Sequence, residues 1–339
     1  MLRTETATSP ERQAQALIGL RRYQQADRPV TPYSHRIIAA QHGDAKLWHI
    51  PPERRRPAGA PVRPPVVLVP SIINAHDILD LGRGHSFARF LAGRGHPVYL
   101  VDWGSPLAEQ AQLSLEELIT RRLLPLLAHL GAPPILLGYC LGGTIAIAAA
   151  ALSPMRALVT LAAPWHFRRY PPAFRADTAR IWEQGQQAIG QWGVMPMEVM
   201  QQGFWMLDRA ATIAKFERFA GFAEDSTAHR LFVLVEDWAN SGEPLSPPAA
   251  TEMFDTLFDQ DASGLGHWQV GSQTVDPDRI NCPVLHVSST TDRIVPHASA
   301  PDFGKRRDIA LGHVGMIIGS RARQQLWQPL ARWLVRHGG

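Results

Sequence analysis

Cysteine and lysine are nearly missing from this chain: two and three residues, respectively, in 339. Cys140 and Cys282 are too few for a disulfide framework or a cysteine-based metal cluster, so neither a metal nor another resident cofactor is expected. Lysine stands only at positions 46, 215 and 305, which leaves the positive charge almost entirely to arginine. Charged residues make up only 19% of the chain and the formal net charge is +4, small for this length. Apart from Arg54-Arg55-Arg56 the arginines are scattered, a pattern that argues against a nucleic-acid surface but suits the phosphates of a nucleotide-like acyl carrier. Repeats and low-complexity tracts are absent as well. Met1 to Gln15 mixes both signs of charge and has no apolar core, so no signal peptide is expected and the location expected is the cytoplasm. Long apolar runs are scarce. Ile135 to Leu152 carries no charge over eighteen residues, near the minimum for a membrane span. Its centre is glycine-rich, its second half is mostly alanine, and Ser153-Pro154 ends it without a flanking anchor, so no transmembrane segment is expected.

What is present is a large apolar content, 45%, enough for one sizeable α/β core with an insertion. Ser9-Pro10-Glu11 reads as a cap and first turn opening a helix to about Gln25. Two β-like runs, His35 to Gln41 and Ala45 to Ile50, flank His42-Gly43-Asp44 and suggest a hairpin. Pro51 to Pro65 is a Pro- and Arg-rich connection. Strands and helices then alternate: Val66 to Val69, Ser86 to Gly93, Val98 to Asp102, Leu115 to Leu130, Ile135 to Tyr139, a helix, and Ala157 to Leu161. The alternation stops at Pro164. From Trp165 to about Asp278 helical segments carry six of the ten tryptophans. These Trp and Met residues either pack that region's own core or line an apolar tunnel. The sheet resumes at Pro283 to Ser288, and Arg307 to Leu311 reads as its last strand.

Gly138-Tyr139-Cys140-Leu141-Gly142-Gly143 is the most telling stretch. A short apolar strand precedes it and an Ala-rich helix follows, and small residues stand two before and two after Cys140. A strained strand-to-helix turn needs that spacing, because it brings the two backbones together. Such a turn exposes the Cys140 thiol beside the Leu141 N–H and the helix N-terminus, where a thiol becomes acidic and an oxyanion is stabilised. The competing reading is a buried structural cysteine. Asp292, in the loop after the Pro283 to Ser288 strand, is by itself as readily a turn residue; His313, between Gly312 and Gly315, is as readily a turn histidine. The order Cys, Asp, His along a doubly wound sheet nevertheless matches the Ser, Asp, His order of the α/β-hydrolase fold. Cys282, which begins a buried strand with no base nearby, reads as a small apolar residue.

These motifs, together with Ile78-Leu79-Asp80-Leu81, Val98 to Gly104, Val270-Gly271, Val275-Asp276, Cys282-Pro283-Val284-Leu285 and Asp292-Arg293-Ile294-Val295-Pro296, fall in order from about residue 65 to 335. The chain thereby resembles polyhydroxyalkanoate synthases, in particular the short catalytic subunit of the two-component class III enzymes. It departs from them at Pro164-Trp165-His166-Phe167, at His297, and in the short spacing of 21 positions from Asp292 to His313. The resemblance implies an α/β-hydrolase fold: a doubly wound, mostly parallel sheet over 65–164 and 279–339, a helical cap over 165–278, and an N-terminal region of helix, hairpin and connection over 1–64. It also implies Cys140 as nucleophile, Asp292 as acid and His313 as base. The backbone N–H groups of Leu141 and Ile72 would form an oxyanion hole. The implied reaction is polymerisation of (R)-3-hydroxyacyl-CoA into polyester through a Cys-bound thioester, CoA being part of the substrate. A second synthase subunit is the implied partner, a homodimer is compatible, and attachment to polymer granules follows from the product. Two other functions use the same sequence: a thioesterase or polyester depolymerase with the same three residues, and a non-catalytic granule-bound subunit, against which the intact Cys, Asp and His argue.

Overall fold

In the computed structural model, residues 1–28, 36–54, 59, 61–107, 112–224 and 226–338 are described. His35, the first residue of the first β-like run, and Arg55 and Arg56 of the arginine cluster lie outside them. The centre is an eight-stranded sheet. Strands β1 (Ile37–His42) and β2 (Ala45–Ile50) form the expected hairpin, and β2 joins the sheet antiparallel to β4 (Val98–Asp102). From there all pairing is parallel, through β3 (Val66–Val69), β5 (Ile135–Tyr139), β6 (Ala157–Leu161), β9 (Val284–Ser289) and β10 (Lys305–Ile309). The order across the sheet is β1-β2-β4-β3-β5-β6-β9-β10, while β7 (Gln269–Val270) and β8 (Gln273–Thr274) form a separate two-residue ladder. Runs such as Val66-Val67-Leu68-Val69 are apolar throughout because helices cover both faces of a parallel strand, and every residue of β3, β5 and β6 is buried.

One face packs on the helix Leu141–Leu152 and on the helical stretch 115–128; the other packs on Phe87, Leu91, Leu326 and Leu330. The Ala-rich helix is apolar all round because it is buried on all sides, and no helix of the described residues is long and apolar enough to cross a membrane. The last strand is Lys305–Ile309 rather than Arg307 to Leu311. It is the outermost strand, four of its five residues are exposed, and its Lys and Arg side chains sit where an edge strand carries charge. Between Asp292 and that strand the short spacing leaves only a 3-10 turn, His297–Ser299.

Among the described residues five α-helices stand between β6 and β9, including Pro172–Trp192, Met197–Leu207, Arg209–Phe219 and Thr227–Ala239. The N-terminal helix, Pro10–Gln25, capped by Ser9, packs on Arg209–Phe219. The two come so close that a Cβ on Gly19 would lie 1.9 Å from the Phe216 carbonyl oxygen. Arg12 pairs with Glu217 at 3.0 Å, and the Tyr23 hydroxyl donates to Asp237 at 2.7 Å. Asp80 of the Ile-Leu-Asp-Leu motif is structural: its buried carboxylate accepts from Ser86 at 2.6 Å, Arg89 at 2.9 Å and Arg36 at 3.0 Å, anchoring the long loop that follows β3.

Candidate active site

Strand β5 delivers Cys140 at φ 56° and ψ −133°, a left-handed conformation that a residue with a side chain adopts only under constraint from its surroundings. The constraint is backbone contact. A Cβ on Gly138 would fall 2.3 Å from the Gly142 carbonyl oxygen, and one on Gly142 would fall 2.2 Å from that of Val69. The Cys140 N–H donates to Leu161 O at 2.9 Å and Gly143 N–H to Cys140 O at 2.8 Å, which locks the turn. Leu141 begins the helix, so its N–H has no intrahelical acceptor.

Beyond the carboxyl end of β9, Asp292 turns inward. Its Oδ1 accepts the N–H groups of Ile294 at 2.8 Å and Val295 at 3.0 Å, and its Oδ2 accepts from His313 Nδ1 at 2.6 Å. The two side chains are 0% and 7% exposed. The carboxylate holds the His313 proton on Nδ1 and leaves Nε2 for Cys140, whose sulfur lies close enough to act on the imidazole. Burial opposes charge on the imidazole, but the Asp292 carboxylate and then the Cys140 sulfur outweigh it, and His313 is pushed up to about 10. The Asp292 carboxylate therefore favours the charged imidazolium at His313. Tyr139 completes the support: its ring stacks on His313 with centroids 5.0 Å apart, and its hydroxyl donates to the His313 carbonyl at 3.2 Å. Tyr139 lay in plain view inside the elbow motif, yet nothing local in the sequence marks it as the floor beneath a histidine 174 positions away.

Cys140 and Leu141 open into an apolar cavity of about 70 Å³ under the cap, walled by Met200, Phe204, Met253, Phe254 and Phe258. Of the alternatives for the aromatic-rich region, methionines do line this space, whereas none of its six tryptophans does. Trp165 and Trp268 are buried against each other instead, with ring centroids 6.3 Å apart. Thr178, Phe254 and Phe258 are shared with a larger, more polar cavity of about 240 Å³ that Arg175, Glu183 and Asp259 also line. The side chain of Ile73 faces the Cys140 cavity, while that of Ile72 lines a different one with Trp103 and Leu113. Among the described residues the Ile72 N–H makes no internal hydrogen bond, whereas the Ile73 N–H is taken by Ser71 Oγ at 3.2 Å.

Cys282 stands before β9, at the opposite end of that strand from Asp292, and burial pushes its thiol up. Among the described residues no three His, Cys, Asp or Glu side chains gather into a metal-sized group. Arg293, next to Asp292, forms an ion pair with Asp208, the residue between the cap helices Met197–Leu207 and Arg209–Phe219. No sequence signal points to that pair.

The sequence profile of the alpha/beta hydrolase family matches residues 66–326. The chain is 26% identical over 285 residues to the poly(3-hydroxyalkanoate) polymerase subunit PhaC of Haloarcula marismortui, covering 79% of this chain and 60% of that protein. It thus spans less than two thirds of that relative's length. Identity to the poly(3-hydroxyalkanoate) polymerase subunit PhaC of Allochromatium vinosum is 26% over 303 residues, covering 82% of this chain and 83% of the relative. Among solved structures, an alpha/beta hydrolase fold protein from Nakamurella multipartita is 22% identical, with a TM-score of 0.45 over 89% of this chain and 99% of that one.

Proposed function

The chain belongs to the alpha/beta hydrolase family, and from that premise we propose that it is a cytoplasmic acyltransferase that polymerises (R)-3-hydroxyacyl-CoA through a thioester on Cys140. The observation that carries this reading is the Asp292–His313–Cys140 relay beneath an apolar cavity. The likeness to proteins named polymerase subunits supports the substrate, and the word subunit supports a second chain as partner.

In the first half-reaction the Cys140 thiolate attacks the thioester carbonyl. The oxyanion that forms is met by the Leu141 N–H and, on this reading, that of Ile72. CoA leaves as the thiol after taking the proton from His313, so one thioester replaces another at little thermodynamic cost. In the second, a hydroxyl from another hydroxyacyl unit gives its proton to His313 Nε2 while its oxygen attacks the Cys140 thioester. The oxoester forms, the thiolate returns, and exchange of a thioester for an oxoester drives the step. Asp292 keeps the imidazole oriented in both halves. The Phe and Met walls serve to keep out water, which would otherwise end the chain as free acid.

Incubating the purified chain with 3-hydroxybutyryl-CoA tests this, with CoA, polymer and free acid all measured. Polymer accompanying CoA release is expected. Stoichiometric free acid and no polymer would replace the reading with a thioesterase on the same three residues.

A further inference from the structure

Two tryptophan side chains bracket the segment that carries the Ile72 N–H. On the sheet side Trp103, which follows β4, donates its indole N–H to the Pro70 carbonyl at 3.1 Å. On the cap side Trp238, near the end of the helix Thr227–Ala239, donates its own to the Ala75 carbonyl at 2.7 Å. Between those two carbonyls the backbone belongs to neither strand nor helix, since β3 ends at Val69 and the next turn begins at His76. With no ladder of its own, it is held by what it touches.

What it touches is the turn that closes the Thr227–Ala239 helix, and the contact runs through three successive residues after Ile72. A Cβ on Gly242 would lie 2.3 Å from the Ile73 carbonyl oxygen, so two backbones meet there with no room for a side chain. Asn74 Nδ2 donates to the Ala239 carbonyl at 3.4 Å and to that of Ser241 at 3.3 Å. Ala75 then receives the Trp238 indole. The turn is itself firm, because the Ser241 N–H and Oγ both donate to the Trp238 carbonyl, at 3.0 and 2.8 Å. Behind it, Tyr23 of the N-terminal helix meets Asp237 at 2.7 Å and Asn240 at 3.3 Å.

A donor in an oxyanion hole acts through its direction, and a small misplacement costs much of its effect. We infer that Trp238 is a positioning residue for the acyl-transfer reaction: through Ala75, and with the turn 239–242 beside it, it aims the Ile72 N–H at the oxyanion formed over Cys140. The inference rests on the acyl-transfer reading with Ile72 as the second donor, and it gives the cap a part in the chemistry besides roofing the cavity. Trp238 does not line that cavity, so its part is played through the loop and not on the substrate.

Trp238→Phe keeps a ring in place and removes the indole N–H. With 3-hydroxybutyryl-CoA, kcat for CoA release should fall about 10- to 100-fold while KM changes little, because the oxyanion exists only in the transition state. Trp182→Phe is the matched control: it also loses an indole bond of 2.7 Å in the cap, but to Asp255 rather than to this loop, and its kcat should stay near that of the native chain. Amide exchange reads the loop without turnover. It should quicken over 73–80, the end of the loop and the turn His76–Asp80 after it, in Trp238→Phe but not in Trp182→Phe, with β3 and β5 protected in both. An unchanged kcat in Trp238→Phe, an equal fall in the two variants, or a loss confined to KM overturns the inference. Should the native chain release no CoA, the acyl-transfer reading falls and exchange alone decides. Quickening confined to 73–80 in Trp238→Phe would then keep Trp238 as the residue that holds this loop, and unchanged exchange would remove that role too.

Discussion

At the carboxyl edge of the sheet, Cys140, Asp292 and His313 are fixed by the backbone: by glycines whose missing Cβ atoms let strands and turns touch, and by N–H groups that grip a buried carboxylate. The cap above them is moored differently. Arg12–Glu217, Tyr23–Asp237 and Arg293–Asp208 join it to the N-terminal helix and to the Asp292 loop through side chains that are partly in water. The Arg293 side chain is 72% exposed and that of Asp208 24%, whereas the Asp292 and His313 side chains are almost out of contact with solvent. Chemistry and access are thus held by forces of different stiffness, one indifferent to salt and the other open to it.

The hardest way to break the comparison is Gly142→Ala. A methyl group 2.2 Å from the Val69 carbonyl cannot be accommodated by a side-chain rotation, so the elbow and the core beneath it must deform. We expect a loss of more than about 4 kcal/mol of stability by chemical denaturation and no measurable CoA release. Near-native release would show that the elbow is as compliant as the cap.

Next in size is Asp292→Asn, which keeps the shape but loses the charge that sets the tautomer of His313; CoA release should fall about 10³- to 10⁴-fold with the fold intact. The same variant reports on pH. His313 is pushed from 6.5 up to about 10, so the stability its proton contributes is complete below about pH 6.5 and is lost as pH rises through about 10. The melting temperature of the native chain should therefore decline across that window, and in Asp292→Asn the decline should flatten. An unchanged slope would mean that the carboxylate does not hold the proton.

How much of this could be read from the sequence divides along the same line. The elbow was legible because close backbone approach demands glycine at fixed spacing, and Asp292 and His313 because their order along a doubly wound chain is constrained. The outermost strand was misplaced by two residues: Ile309 and Leu311 look like strand material, while the charged Lys305–Ile309 segment pairs because it is an edge. In the cap, the expectation left open whether tryptophan packs or lines. Phe and Met line the cavity and Trp165 packs on Trp268, a choice made by side-chain fit between helices that no periodicity encodes.

Two milder changes sharpen the cap side. In Gly19→Ala a methyl 1.9 Å from the Phe216 carbonyl oxygen should push the N-terminal helix off the cap while leaving the elbow alone. Stability should fall by about 1–3 kcal/mol, and amide exchange should quicken in Arg209–Phe219 but not in β5; equal protection in both would contradict the division. Smallest of all, Arg293→Ala should alter KM a few-fold at low salt and much less at high salt, because the pair it removes is largely exposed and screened. A salt-independent effect on kcat would place Arg293 with the chemistry instead.

The clasp of the N-terminal helix on the cap also sets an order of events during synthesis. Arg12 and its partner Glu217 are 205 residues apart, so the helix that carries Arg12 waits, exposed, for a surface that the ribosome supplies roughly 10–40 s later at 5–20 residues per second. Over that interval Ala16 and Gly19, the buried residues of the helix, have no cap to cover them, and Gly19 weakens the lone helix further. The nascent sheet can form its elbow, since β3, β5 and β6 all precede residue 165. The turn that carries Cys140 can thus be assembled before its roof, and a helix made earlier than either finds its place only after both.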